Sequence, residues 1–152
     1  MKIREYTFED AEAHAEVNRQ SVRGIASEDY SDEVIEAWSA KEPEDSPIEE
    51  EKVRFVAEED GEIVGFSDYN METKELSGLY VKPGYTGRGI GEKLLEKAEK
   101  DAKKNDLERL WCKSTITAKE FYQRHGYEIV EETNHQIEGL NMKVYRMEKD
   151  LV

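Results

Sequence analysis

Residues 83–95, PGYTGRGIGEKLL, place Gly84, Gly87, Gly89, Gly91 and Arg88 directly ahead of an amphipathic run. A glycine-rich turn leading into a helix presents several backbone N–H groups together with the positive end of the helix dipole, which suits an anion, and phosphate above all. Two phosphate motifs fail on spacing. Counting from Gly84, the nucleotide-hydrolase pattern G-x-x-x-x-G-K-[ST] reaches Gly89, but Ile90 stands where lysine is required. The dinucleotide pattern G-x-G-x-x-G fails because Gly87, Gly89 and Gly91 alternate. A tight turn alone seldom needs glycine at three alternating positions. Other reactive residue types give less. His14, His125 and His135 are too scattered for metal-ligand spacing, so no metal is expected. Cys112, inside an apolar run, reads as a small core residue rather than an acyl-carrying nucleophile.

The elements around this loop follow from periodicity. Lys2 to Tyr6 reads as a strand, and Thr7 with Asp10 caps a helix reaching about Arg23. Ser31 caps a second helix, Asp32 to Ala40, whose Val34, Ile35 and Trp38 share one face. Lys41 to Lys52, acidic and proline-containing, reads as a solvated loop. Val53 to Glu58 and Glu62 to Tyr69 are strands joined by the turn Glu59-Asp60-Gly61, and Lys74 to Val81 is a third strand of the same antiparallel meander. Ile90, Leu94, Leu95, Ala98 and Ala102 then mark one face of the clearest helix in the chain. Leu107 to Lys113 is expected to return as a strand parallel to the third. Thr117 to His125 follows as a helix, and Tyr127 to Glu131 and Met142 to Met147 as a final pair of strands.

With these elements in place, Thr86-Gly87-Arg88-Gly89-Ile90-Gly91 resembles the Q/R-x-x-G-x-G/A signature of the GNAT superfamily of N-acetyltransferases, with threonine at the first position. Downstream, TAKEFYQRHGYE resembles the family's A-x-x-F-Y-x-x-x-G-F segment through Ala118, Phe121, Tyr122, Gly126 and Tyr127. The resemblance spans nearly the whole chain. It implies one domain over residues 1–152, built as an α/β fold with a mostly antiparallel sheet of about seven strands, a splayed parallel pair and about four flanking helices. It implies acetyl-CoA as co-substrate, its pyrophosphate clasped by Gly87, Arg88, Gly89, Gly91 and Thr86, and its pantetheine arm paired with the backbone of Leu79 and Val81. Ser114 and Thr115 stand where the family often has an asparagine after its fifth strand, and are further candidates for the coenzyme.

Acetyl transfer from a thioester needs an amine of ordinary pKa about 10 to lose its proton, a donor for the developing oxyanion, and a proton for the departing thiolate. By the resemblance, Tyr122 supplies the last of these and the Leu79 amide the second. Glu75 is the candidate base, acting through water. Arg88, Lys82 and Lys93 are the cations available to the coenzyme phosphates. Tyr30, Trp38 and His135 are candidate walls for the acceptor, Trp38 serving equally well as a core anchor.

Composition bounds the partners. The 152 residues carry 36 acidic against 22 basic side chains, a net charge of −14, which opposes nucleic acid and anionic membranes and favours cationic amines. The N-terminus lacks signal-peptide regions and no apolar run could span a bilayer, so a cytoplasmic protein is expected. The acceptor is expected to be a small-molecule or protein amine; many relatives in the resembled family pair through C-terminal strands, which makes a homodimer possible, while the sequence itself leaves the oligomeric state unread. The rival reading is a non-catalytic acetyl-CoA sensor or interaction module. Loss of the Tyr122 hydroxyl would have been its sign, and the hydroxyl is present.

Overall fold

The computed structural model describes residues 1–25, 28–40 and 50–152. The acidic loop expected over 41–52 lies outside the described residues through 49. Strand β1 (Lys2–Glu5) leads into a short 3₁₀ turn, Phe8–Asp10, that begins helix α1 (Ala11–Ile25). Thr7 N–H donates to the Asp10 carboxylate at 2.8 Å, as the capping pattern requires, and Arg4 grips the same carboxylate with both terminal nitrogens at 2.9 Å. These donors, the Arg4 fork foremost, hold the Asp10 pKa below its ordinary value of 3.8. A depressed carboxylate pKa stabilises the fold above the unfolded-state value and stops doing so as pH falls through the folded value. Asp10→Asn should therefore cost about 2 kcal/mol at neutral pH, with the deficit shrinking below about pH 4 in urea unfolding curves.

Helix α2 (Asp32–Ser39) starts where the Ser31 side chain accepts from Val34 N–H at 3.3 Å, and Arg23 ties it to α1 by donating to Ser39 Oγ at 2.9 Å. Strands β2 (Lys52–Glu59), β3 (Glu62–Asn70) and β4 (Leu76–Val81) form the expected meander, with β1 outside β2 in the order β1-β2-β3-β4. The β2–β3 turn puts Asp60 and Gly61 at φ of 52° and 82°, the primed geometry that matches strand twist. In the β3–β4 register Asp68 faces Gly78 and Tyr69 faces Leu76, so Ser77 is an extra, bulged residue.

Helix α3 (Ile90–Lys104) buries all five apolar positions of its predicted face against this sheet. Leu94 and Leu95, almost inaccessible, contribute about 2 kcal/mol each by removal from water. Strand β5 (Arg109–Thr115) follows, then helix α4 (Lys119–Arg124) and a long hairpin, β6 (Glu128–Ile137) and β7 (Leu140–Asp150), in the order β5-β7-β6. Two expectations shift here. The fifth strand runs two residues further than its apolar segment suggests, because Ser114 and Thr115 pair with Tyr145 and Val144. The last hairpin also extends through residues 132–141, closing at Glu138-Gly139 with φ of 47° and 81°.

These seven strands thus form two antiparallel sheets, joined by a single parallel bridge between Glu75 and Trp111, where Trp111 N–H donates to Lys74 O at 3.1 Å. Beyond that bridge β4 and β5 diverge. Helix α3 covers one face of the molecule, while α1 lies on β3 and β4, and α2 against β6 and β7, on the other.

Candidate active site

The bulge at Ser77 and the divergence of β4 from β5 open a cavity of about 400 Å³ between the two sheets. Its walls come from β4, β5 and α4, with α1 and α2 closing one side and the start of α3 the other. Strand alternation sorts the β4 side chains. Leu79 and Val81 pack toward the α3 face, whereas Tyr80 packs toward Val22 and Trp38 on the α1–α2 face. The backbone is sorted as well. Lys82 N–H donates to Val64 O on β3, so by antiparallel alternation the main-chain groups of Leu79 and Val81 point away from β3 into the cavity. Among the described residues no strand pairs with them, β5 having diverged to the far side of the cavity.

At the α3 end, Gly87 and Gly89 adopt φ of 77° and 80°, and a Cβ at either would meet nothing within 4 Å. The glycines are there for conformation, not to relieve crowding. Gly89 is the N-cap of α3, and among the described residues the amides of Gly87, Arg88 and Gly89 make no backbone hydrogen bond. The amides of the first helical turn likewise have no intrahelical acceptor. This array of open donors at a helix start fits a phosphate group on the residues' own geometry. Gly91 faces the cavity, where an added Cβ would touch the Phe121 ring and Val81 at 3.7 Å, and Thr86 lines the same side.

The three cations expected to offset the acidic net charge are not equally available. Arg88 Nη1 lies 3.4 Å from Glu59 with its guanidinium over the Tyr85 ring, and Lys82 sits 2.9 Å from Glu62. The β2–β3 turn therefore neutralises part of the charge that the loop offers to an anion.

Tyr122 is buried on α4, its ring edge-on to Phe121 and Tyr127, yet it forms part of the cavity wall. Burial pushes its phenol well above the usual value of 10, with Cys112 and Tyr80 adding to the rise. The hydroxyl therefore stays protonated throughout the neutral range. Tyr80, across the floor, is raised to about 12, again chiefly by burial.

Thr115 lines the cavity, its Oγ1 accepting from Ala118 N–H at 3.1 Å to start α4, whereas Ser114 is buried with its hydroxyl donating to Thr115 O at 2.9 Å. Glu75 sits at the closed end, beside the bridge to Trp111, and is not among the lining residues. Trp38 lines the cavity. Tyr30 instead clamps the β5–α4 turn, accepting from Ile116 N–H at 2.9 Å and donating to Lys143 O at 2.6 Å.

Cys112 faces the core, its thiol pushed up to about 12, first by burial and then by Glu75. A disulfide-exchange reagent should titrate no thiol in the native protein and one in urea. Rapid labelling of native protein would show this strand to be open.

Sequence reasoning missed Tyr80, Ser21, Val22 and Lys113 as cavity residues. The bulge sets the face on which Tyr80 projects, and the divergence of β4 from β5 with α1 laid over β4 brings in the others. It also missed the buried pair of His14 and Asp68, Nε2 to Oδ2 3.1 Å, which sits behind Gly78. Among the described residues no group of three or more His, Cys, Asp and Glu is placed to hold a metal ion, and no helix is long and apolar enough to cross a membrane.

Comparison with known proteins agrees with this architecture. The spermidine N(1)-acetyltransferase of Thermoplasma acidophilum is 31% identical over 145 residues, covering 85% of this chain and 89% of that protein. Among solved structures, a GCN5-related N-acetyltransferase from Rhodopseudomonas palustris superposes with a TM-score of 0.87 at 25% identity, over 98% of this chain and 94% of the other. The PaiA N-acetyltransferase of Thermoplasma acidophilum, solved in complex with coenzyme A, gives a TM-score of 0.78 at 26% identity over 98% of each chain. The family model described as "Acetyltransferase (GNAT) domain" matches residues 26–151. By fold, motif and match, the chain belongs to the GNAT acetyltransferase family.

Proposed function

We propose that this protein moves the acetyl group of acetyl-CoA to a primary amine, carried by a small molecule or by a protein N-terminus or lysine. The observation that carries the reading is the cleft between β4 and β5, with an open-amide glycine loop at one end and the Tyr122 phenol in its wall. The similarity to a spermidine acetyltransferase and to an acetyltransferase solved with coenzyme A supports it.

Acetyl-CoA, when bound, supplies an acyl group already activated as a thioester. The amides of Gly87, Arg88, Gly89 and Gly91, aided by Thr86, hold pyrophosphate oxygens at the α3 dipole. Leu79 and Val81 offer their outward main-chain groups to the amide-bearing arm, much as a strand edge accepts another strand. The Leu79 N–H donates to the thioester oxygen as negative charge develops there. Thr115, supported from behind by Ser114, borders the same channel. Tyr122 gives its proton to the departing sulfur. Glu75, at the closed end, takes the amine proton through a water.

The test is thiol release from acetyl-CoA over a panel of amines. Amine-dependent release is expected. Coenzyme binding with no release for any amine, peptide N-termini included, would favour the sensor reading over the enzyme.

A further inference from the structure

The net charge of −14 points toward cationic acceptors, but the cleft is charged the other way. Its only charged lining residues, among those described, are Lys113 and Arg124, and no carboxylate lines it. The two cations lie on different sides. Arg124 is three residues beyond Phe121 on α4, hence on the same helical face, and the Phe121 ring is 3.7 Å from a Cβ placed on Gly91. That puts Arg124 on the side of the glycine loop, where coenzyme phosphates would lie.

Lys113 belongs to the other half. On β5, Cys112 faces the α3 core, so Lys113 and Thr115 project to the opposite face. Thr115 pairs with Val144, which packs against Val34 and is flanked by Trp38 and Tyr30. Lys113 is exposed, with no ion-pair partner among the described residues; the nearby His135 is held below its ordinary pKa by burial first and Lys113 second, with Glu75 opposing. The cavity also offers the hydroxyls of Ser21 and Thr115 and the aromatic walls of Trp38 and Tyr80, while the lining Thr117 already donates its hydroxyl to the Asp29 carboxylate at 2.7 Å. Asp68, which approaches from beneath Gly78, already faces His14 at 3.1 Å and Arg54 at 3.7 Å.

We infer that the acceptor is an amine bearing an anionic group beside an apolar body, an amino-acid-like molecule, whose carboxylate is received by Lys113 while Trp38 and Tyr80 cover the body. This rests on the acetyltransferase reading. A polyamine would bring a second cation to a half-site whose charged lining residue, among those described, is the Lys113 ammonium, with the Glu75 and Asp29 carboxylates standing outside the lining. Lys113 also assists the chemistry, because a positive neighbour and apolar walls both favour the neutral, nucleophilic form of the incoming amine.

The test uses matched acceptors that differ by a carboxylate: L-phenylalanine against 2-phenylethylamine, and L-lysine against cadaverine, with spermidine as the polycation. Thiol release should give the carboxylate-bearing member of a pair an advantage of about tenfold in kcat/KM. Lys113→Glu should abolish or invert that ratio, Lys113→Gln should reduce it, and Lys113→Arg should keep most of it. The ratio within one variant cancels any loss of folded protein. Spermidine and cadaverine outperforming both amino acids in the wild type, or a ratio unmoved in Lys113→Glu, overturns the inference. Should no amine turn over, thermal shifts of the coenzyme A complex separate the two claims. Stabilisation by L-phenylalanine that Lys113→Glu removes keeps the subsite while the transfer reading fails; no stabilisation by either amino acid overturns the subsite too.

Discussion

Tyr122→Phe is expected to lower kcat about 100- to 1000-fold while KM for acetyl-CoA stays within about threefold, because a general acid acts on the transition state and contributes little to ground-state binding. The change corresponds to about 3–4 kcal/mol of lost transition-state stabilisation. It should be clean structurally. The ring contacts to Phe121 and Tyr127 are retained in the variant. The melting temperature should therefore move by no more than about 2 °C. Burial raises the phenol above 10, so the neutral, proton-donating form persists past that pH. The wild-type kcat profile should accordingly show no loss from Tyr122 ionisation below pH 10. Steady-state turnover that survives the substitution undiminished would remove Tyr122 as the acid.

Gly89→Glu should raise KM, or the calorimetric Kd, for acetyl-CoA about 100-fold, equivalent to about 2.7 kcal/mol. Two effects add. A side chain at φ of 80° strains the α3 N-cap by about 1–2 kcal/mol, which weakens the fold and the array of open amides together. Its carboxylate also occupies the space in front of those amides, where nothing lies within 4 Å of an added Cβ, and repels an incoming phosphate. Saturating coenzyme should restore most of kcat, since Tyr122 and the β4 backbone are untouched. An unchanged KM would mean that the pyrophosphate sits elsewhere.

What the sequence disclosed depended on period and on glycine. Helix α3 was readable because its five core positions recur at helical spacing and all are buried. The β2–β3 hairpin was readable from Asp60-Gly61 between apolar-containing runs. The far half of the β6–β7 hairpin was hidden because residues 131–136 are polar on both faces and mostly exposed, which leaves no alternation to detect. In the site, Gly87, Gly89 and Tyr122 stood out through local pattern. Tyr80 and Lys113 did not, since their membership of the cleft depends on a one-residue bulge and on the distance between two strands, neither of which leaves a local signal. His14 and Asp68, 54 positions apart, were equally invisible.

The lone bridge between Glu75 and Trp111 has a consequence for solubility. Past it, β4 and β5 each carry an inner margin of unpaired peptide groups, the kind of margin through which chains stick to one another. In this fold those margins face each other across a slot of about 400 Å³ bordered by α1, α2, α4 and the start of α3. The slot keeps these two margins off the open edges of the sheets, which β1 and β6 form instead.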